Sequence, residues 1–239
     1  DGSSGTFSLS RRSPSGLYST ICPSTANIKI ELDIPSVAYG ARSGFWTIAP
    51  HLLPRESVVY SAGVGNNIRW DLEMIAHHCA LVYAFDPTPR TVEWISEQDL
   101  PGNFNFFPLG LSDRDGEIDF IEPNRTYKFN YRSGAVVPPG VRSVACEVRR
   151  LATLCKTFDH QGIDVLKMDI EGAEMQALPD MMSSGIFPGQ LLVEFHYNYP
   201  DIGFDQFLDL IQSLRDNGYR ILDISERGYE FSFVHEQLL

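Results

Sequence analysis

From Ser57 onward the chain repeats one unit, a short apolar run followed by a stretch with helical spacing. Residues 58–62, 81–85, 104–109, 164–168 and 190–195 are apolar runs of strand length. Between them, Ile68, Leu72, Ile75 and Ala76 recur at helical spacing, and Thr88-Pro89 opens a second helix. Residues 151–158, 173–182 and 204–216 read as three more, the last stopped by Asn217-Gly218. Strands joined through helices pair in parallel with both faces covered, which is an α/β architecture. The last two runs differ. Residues 219–224 and 229–234 are separated only by Ser225-Glu226-Arg227-Gly228, too short for a helix, so they form an antiparallel hairpin. The expectation is therefore an α/β, Rossmann-like domain whose mostly parallel, seven-stranded sheet ends in an antiparallel hairpin. Residues 117–121 and 143–148 read as flanking strands around an irregular insert at about 122–142.

A chain of 239 residues supports one sizeable core, here assigned to 57–239. Residues 1–26, rich in Ser, Gly, Thr and Pro, read as a poorly ordered arm. Residues 27–56 read as an extension packing on the core, with a short strand at 28–32 and breaks at Pro50 and Pro54. The net charge of −12 and the lack of any Lys/Arg-rich block disfavour a nucleic-acid partner. No apolar run is long enough to span a membrane. The N-terminus lacks a signal-peptide pattern, so a cytoplasmic place is expected; Asp1 to Gly5 resemble a linker, compatible with a signal or anchor lying ahead of it. Cys22, Cys79, Cys146 and Cys155 have no metal-ligand spacing and read as mainly free thiols. Nothing in the pattern sets an oligomeric state.

A parallel sheet finished by a hairpin is the arrangement of class I methyltransferases, which use S-adenosylmethionine. A nicotinamide-binding oxidoreductase would continue strand–helix–strand, and its third fingerprint glycine is replaced here by Ile68. Gly63 and Gly65 would let the cofactor pass close to backbone, and the helix-opening amides after Ser61 and at Asn66 would receive its carboxylate. Asp86, ending the second strand, would accept the ribose hydroxyls. Ser112 and Asp113 follow the third strand, where adenine would lie, and Asp169 ends the fourth, beside the sulfonium and methionine amine. Glu194 and His196, two apart at the end of the fifth strand, share a face. Glu174 reads as helix-start charge. Methyl transfer requires no metal and none is assigned, although Asp169, Glu194 and His196 could converge on a divalent ion.

The stretch from Val165 through Leu166-Lys167-Met168-Asp169-Ile170-Glu171-Gly172-Ala173 to Glu174 closely resembles the signature of the FkbM-type methyltransferases. Val59 to Gly65, Ala84-Phe85-Asp86-Pro87 and Leu192 to His196 resemble its other landmarks, in the same order. Where many members carry an acidic residue before the first glycine, this chain has Ser61-Ala62, leaving the methionine amine to Asp169. The resemblance implies a class I fold, S-adenosylmethionine as donor, and O-methylation of a sugar, glycan or natural-product-like small molecule. Within that frame His196 is the expected general base, kept neutral by the cofactor's positive sulfonium and oriented by Glu194, with Asp169 as rival. Glu171 is expected to bind the acceptor, and the insert, with Arg125, Tyr127, Phe129, Tyr131 and Arg132, is expected to cover the acceptor pocket as a lid. A catalytically silent cofactor-binding module is the competing reading.

Overall fold

The computed structural model describes residues 28–41, 44–123, 129–133 and 137–239. The strands form where the apolar runs lie: β3 (Val58–Ala62), β4 (Leu81–Phe85), β5 (Phe104–Phe107), β10 (Val165–Met168) and β11 (Gln190–Glu194). With β12 (Tyr219–Ile224) and β13 (Glu230–His235) they make one seven-stranded sheet in the order β12-β13-β11-β10-β3-β4-β5. Every pairing is parallel except those of β13, which lies antiparallel between β12 and β11. The expected closing hairpin is thus present, and its return strand inserts into the sheet.

Alternate residues of the central strands serve opposite faces, as the two-residue period requires. Tyr60, Leu166, Leu191 and Val193 pack with α3 (Leu151–Thr157), α4 (Glu174–Ser183) and α5 (Phe204–Asp216). Val59, Val82, Val165 and Leu192 pack with Trp70 and Met74 of α1 (Arg69–His78) and Ile95 of α2 (Pro89–Ser96). That second face is completed by Trp46 and Ile48, from a hairpin of β1 (Val37–Ala41) and β2 (Gly44–Ile48) absent from the sequence reading.

Two other expectations need correction. Residues 28–32 form no strand: the Glu31 and Leu32 amides both donate to the Ile221 carbonyl, while the Glu31 carboxylate receives the Ile221 amide and Arg215 Nε. A side chain supplies part of what a strand's backbone ladder would. The run 104–109 is also split, because Pro108 ends β5 and the chain leaves the main sheet. Its continuation, β6 (Gly110–Ser112), joins β7 (Gly116–Ile121), β8 (Arg132–Ser133) and β9 (Ser143–Arg150) in a four-stranded sheet ordered β6-β9-β7-β8. The expected arm at 1–26 lies outside the described residues, as do Arg125 and Tyr127 of the insert. Among the described residues no helix is long and apolar enough to cross a membrane.

Candidate active site

The carboxyl ends of β3, β4, β10 and β11 open onto a cleft of about 620 Å³. Gly63, Gly65, Asn66, Asp86, Tyr131, Asp169, Glu171, Glu194 and His196 all line it. Ser61, Ser112, Asp113 and Arg132 are not among its lining residues.

At one end lies the glycine turn after β3. Gly63 has φ +81, and a Cβ there would stand 1.6 Å from the Asp169 carbonyl oxygen. The neighbouring strand end, not passage of a ligand, therefore demands this glycine. Gly65 has φ +56 and meets nothing closer than Phe129 Cβ at 3.9 Å, so its face is open to the cleft. Asp86 holds this turn from the side. Its Oδ2 accepts the Val64 and Gly65 amides, each at 3.0 Å, and Oδ1 accepts the Thr88 amide at 3.0 Å and hydroxyl at 2.6 Å. An ionised carboxylate offers about four acceptor sites, so any ribose hydroxyl at Asp86 must displace one of these donors. Burial raises the Asp86 carboxyl, and the same donors oppose that rise. Asp86→Ala is accordingly expected to cost about 1.5–3 kcal/mol of folding stability with no cofactor present. Urea unfolding reads this directly, and an unchanged midpoint would mean that the turn stands without its latch.

Beneath the turn lies a polar group that sequence reading passed over. Lys167 donates from Nζ to the Gly63 carbonyl at 2.9 Å and sits 5.4 Å over the Trp46 ring. Ser61 is its cross-strand neighbour in β3. Ser61 is fully buried, and its hydroxyl, with Lys167, opposes the rise that burial imposes on the carboxyl of Asp71 in α1.

The expected adenine pair is displaced for a topological reason. Because β6 pairs with β9, the following turn is drawn toward the start of α3, where Asp115 receives the Arg150 amide and the Thr153 hydroxyl. Ser112 bonds Asp113, Asp113 holds Arg114, and the cleft is lined there by Gly110 and Leu111.

At the other end the chain after β10 turns back on itself. Glu171 takes φ +54 and Gly172 φ +103, which brings Glu174 under the end of β11. Left-handed backbone costs a residue with a side chain about 1–2 kcal/mol. Glu174 is no solvated helix-start charge: it is fully buried, receives the Gly172 amide at 2.8 Å and the His196 amide at 2.7 Å, and lies 3.2 Å from His196 Nδ1. It, and not Glu194, orients the imidazole. His196 Nε2 then faces Glu171 Oε2 at 3.6 Å and Asp169 Oδ1 at 3.8 Å. The Tyr199 hydroxyl donates to Glu171, and Arg132 lies 4.5 Å over the Tyr199 ring while pairing with Asp201. Arg132 is therefore committed to the wall behind the site. Glu194 stands apart, 3.5 Å from Arg227, which itself pairs with Glu230.

The protein's own charges work against a neutral imidazole. Burial works to lower His196, but the bond and charge of Glu174, with Asp169 and Glu171, reverse this and push it up to about 9. Burial, then the nearby Asp169 charge, push Glu194 up to about 7 against His196 and Arg227. Burial also raises Glu171, opposed by the Tyr199 hydroxyl.

A family model for the methyltransferase FkbM domain matches residues 62–221, a span that holds the glycine turn, Asp86 and the whole carboxylate–histidine group. The chain belongs to this family. It is 26% identical over 161 residues to a probable methyltransferase-like protein 24 of Rattus norvegicus, covering 66% of this chain and 37% of that protein. The Homo sapiens protein of the same name is 26% identical over 163 residues, covering 67% and 37%. The chain thus matches little more than a third of the length of these relatives. Among solved structures, a fibrillarin pre-rRNA processing protein of Methanococcus jannaschii shares 12% identity at a TM-score of 0.44, covering 80% of this chain and 70% of that one. An antibiotic-resistance methyltransferase, Kmr, shares 13% at 0.37, covering 83% and 100%.

Proposed function

We propose that this FkbM domain transfers the methyl group of S-adenosylmethionine to a hydroxyl oxygen of a sugar, glycan or natural-product-like acceptor. The observation that carries the reading is the division of one cleft between a glycine turn at a helix start and a group of carboxylates around His196. The cleft fits the cofactor on an independent point. The Trp70 indole N–H, at the first turn of α1, is buried in the cleft wall and has no hydrogen-bond partner among the described residues, so a ligand carboxylate there would satisfy it. Asp169, Glu171 and Glu194 supply negative charge where a cationic sulfonium would lie. When bound, the cofactor supplies an electrophilic methyl group in line with the acceptor oxygen.

The chain's own residues do the rest. Asp86 and Lys167 hold the glycine turn, and Trp70 holds the cofactor's amino-acid end. Phe129, Asn130 and Tyr131, with Arg90 5.3 Å over the Tyr131 ring, wall the cleft beside the glycine turn. Glu194 takes the hydroxyl proton. Asp169, Glu171 and Glu194 all line the cleft, but Asp169 and Glu171 stand against His196 and Glu174 is sealed behind it. Among the described residues Glu194 is therefore the carboxylate of the group that makes no ion pair with the imidazole, and it has its long Arg227 contact instead.

Calorimetry with S-adenosylhomocysteine tests the cofactor half. The wild type should bind it, and Trp70→Phe should lose about 1.5–3 kcal/mol, the worth of a hydrogen bond to a charged group. No binding to the wild type would sink the proposal. Cofactor binding with no labelled methyl transferred to any of a broad hydroxyl panel would favour a silent binding module instead.

A further inference from the structure

We propose that Asp169, Glu171 and His196 form a divalent-cation site at the acceptor end of the cleft. The three residues each bring one ligand atom to a common point, all within 4.8 Å of one another. The imidazole is prepared as a ligand is. Its Nδ1 lies 3.2 Å from the buried Glu174 carboxylate, the outer partner that fixes the ring and turns Nε2 outward. The imidazole is nine-tenths buried, and among the described residues its Nε2 makes no hydrogen bond, the nearest carboxylate oxygens standing off at 3.6 and 3.8 Å. A ring nitrogen standing 3.6 and 3.8 Å from two carboxylates, too far to bond either, leaves room for something smaller than a side chain.

An ion held about 2.0–2.1 Å from each ligand keeps neighbouring ligand atoms roughly 3.0–3.4 Å apart. The two spacings from Nε2, 3.6 and 3.8 Å, need to close by roughly 0.2–0.8 Å, and the two carboxylates, which lie within 4.8 Å of one another, close by rotation about their side chains. One imidazole with two carboxylates suits a first-row ion such as Mn²⁺ better than an all-oxygen ion such as Ca²⁺. Three protein ligands leave coordination positions open toward the cleft, where the ion would bind and polarise an acceptor hydroxyl. Glu194 lies outside the triad and remains free to take that proton. What the ion does there rests on the methyl-transfer reading; its binding does not.

Mn²⁺ titrated into the full chain without cofactor, followed by electron paramagnetic resonance, tests the site. A single ion should bind, and the pulsed spectrum should carry nitrogen modulation from an imidazole, lost in His196→Gln. Glu171→Gln keeps an acceptor for the Tyr199 hydroxyl and the shape of the side chain, and should weaken Mn²⁺ by at least about tenfold. Glu194→Gln should change it by less than about twofold, as expected of a group outside the coordination sphere. No saturable binding up to millimolar Mn²⁺, binding without nitrogen modulation, or binding indifferent to Glu171→Gln would overturn the proposal. Calorimetry with S-adenosylhomocysteine in parallel separates the two readings. Its binding without Mn²⁺ binding would sink the metal site and leave methyl transfer standing, and Mn²⁺ binding without it would do the reverse.

Discussion

Glu194→Gln is expected to lower kcat about 10²–10⁴-fold, the usual cost of removing a positioned base. The glutamine keeps the side chain's volume and an oxygen for Arg227, so affinity for S-adenosylhomocysteine should stay within about twofold of wild type. The expectation follows from where the carboxylates point. Asp169 and Glu171 approach His196, Glu174 is closed off behind the imidazole, and Glu194 faces the cleft with a 3.5 Å contact to Arg227. Without an ion His196 is held as a proton carrier by its three carboxylates, and with one bound at Nε2 it has no lone pair left for the acceptor's proton, so in either state it is a poor acceptor. Single-turnover kinetics with a responsive acceptor makes the measurement. Turnover within a few-fold of wild type would move the proton to Asp169 or to solvent, and equal loss of turnover and cofactor affinity would point to a folding defect.

Glu174→Ala is expected to be the most destabilising single change at the site, by about 3–5 kcal/mol, because it strands buried partners of a charge. The Gly172 amide, the His196 amide and the His196 ring all lose the same carboxylate. The turn through Glu171 and Gly172, both at positive φ, then loses the carboxylate that receives its Gly172 amide and keeps the Tyr199 bond to Glu171. Glu174→Gln retains one acceptor oxygen and should fall between alanine and wild type. Chemical denaturation of the three proteins orders them. A loss under about 1 kcal/mol for alanine would show that Glu174 merely occupies space.

The central sheet was legible because its strands are buried on both faces. Runs such as 58–62 and 81–85 have no polar face to confuse with a surface element, and β3 and β4 occupy those positions. The closing hairpin was legible for a reason of length, since four residues between 224 and 229 leave no room for a crossover helix. The run 104–109 misled because an apolar strand that changes sheets looks the same as one that stays. Only the pairing of β6 with β9 shows the break, and it carries Ser112 and Asp113 out of the cleft.

The site divides in the same way. Gly63, Gly65, Asp86, Asp169, Glu194 and His196 could be placed at the cleft from sequence because strand ends determine where a residue emerges. What each one touches could not. Lys167 sits mid-strand in an apolar run, and its partners come from positions 63 and 71, far away in sequence. Glu174 carries every mark of a helix-opening acid until the left-handed turn at Glu171 and Gly172 folds it under β11. Residue type and spacing thus determined the order of elements and the edge where chemistry collects, because those follow from local periodicity and chain length. The tertiary structure alone decided which carboxylate holds the imidazole, which latches the glycine turn and which stands clear of the imidazole. Those choices depend on distances of a few ångströms between chain segments that the sequence holds far apart.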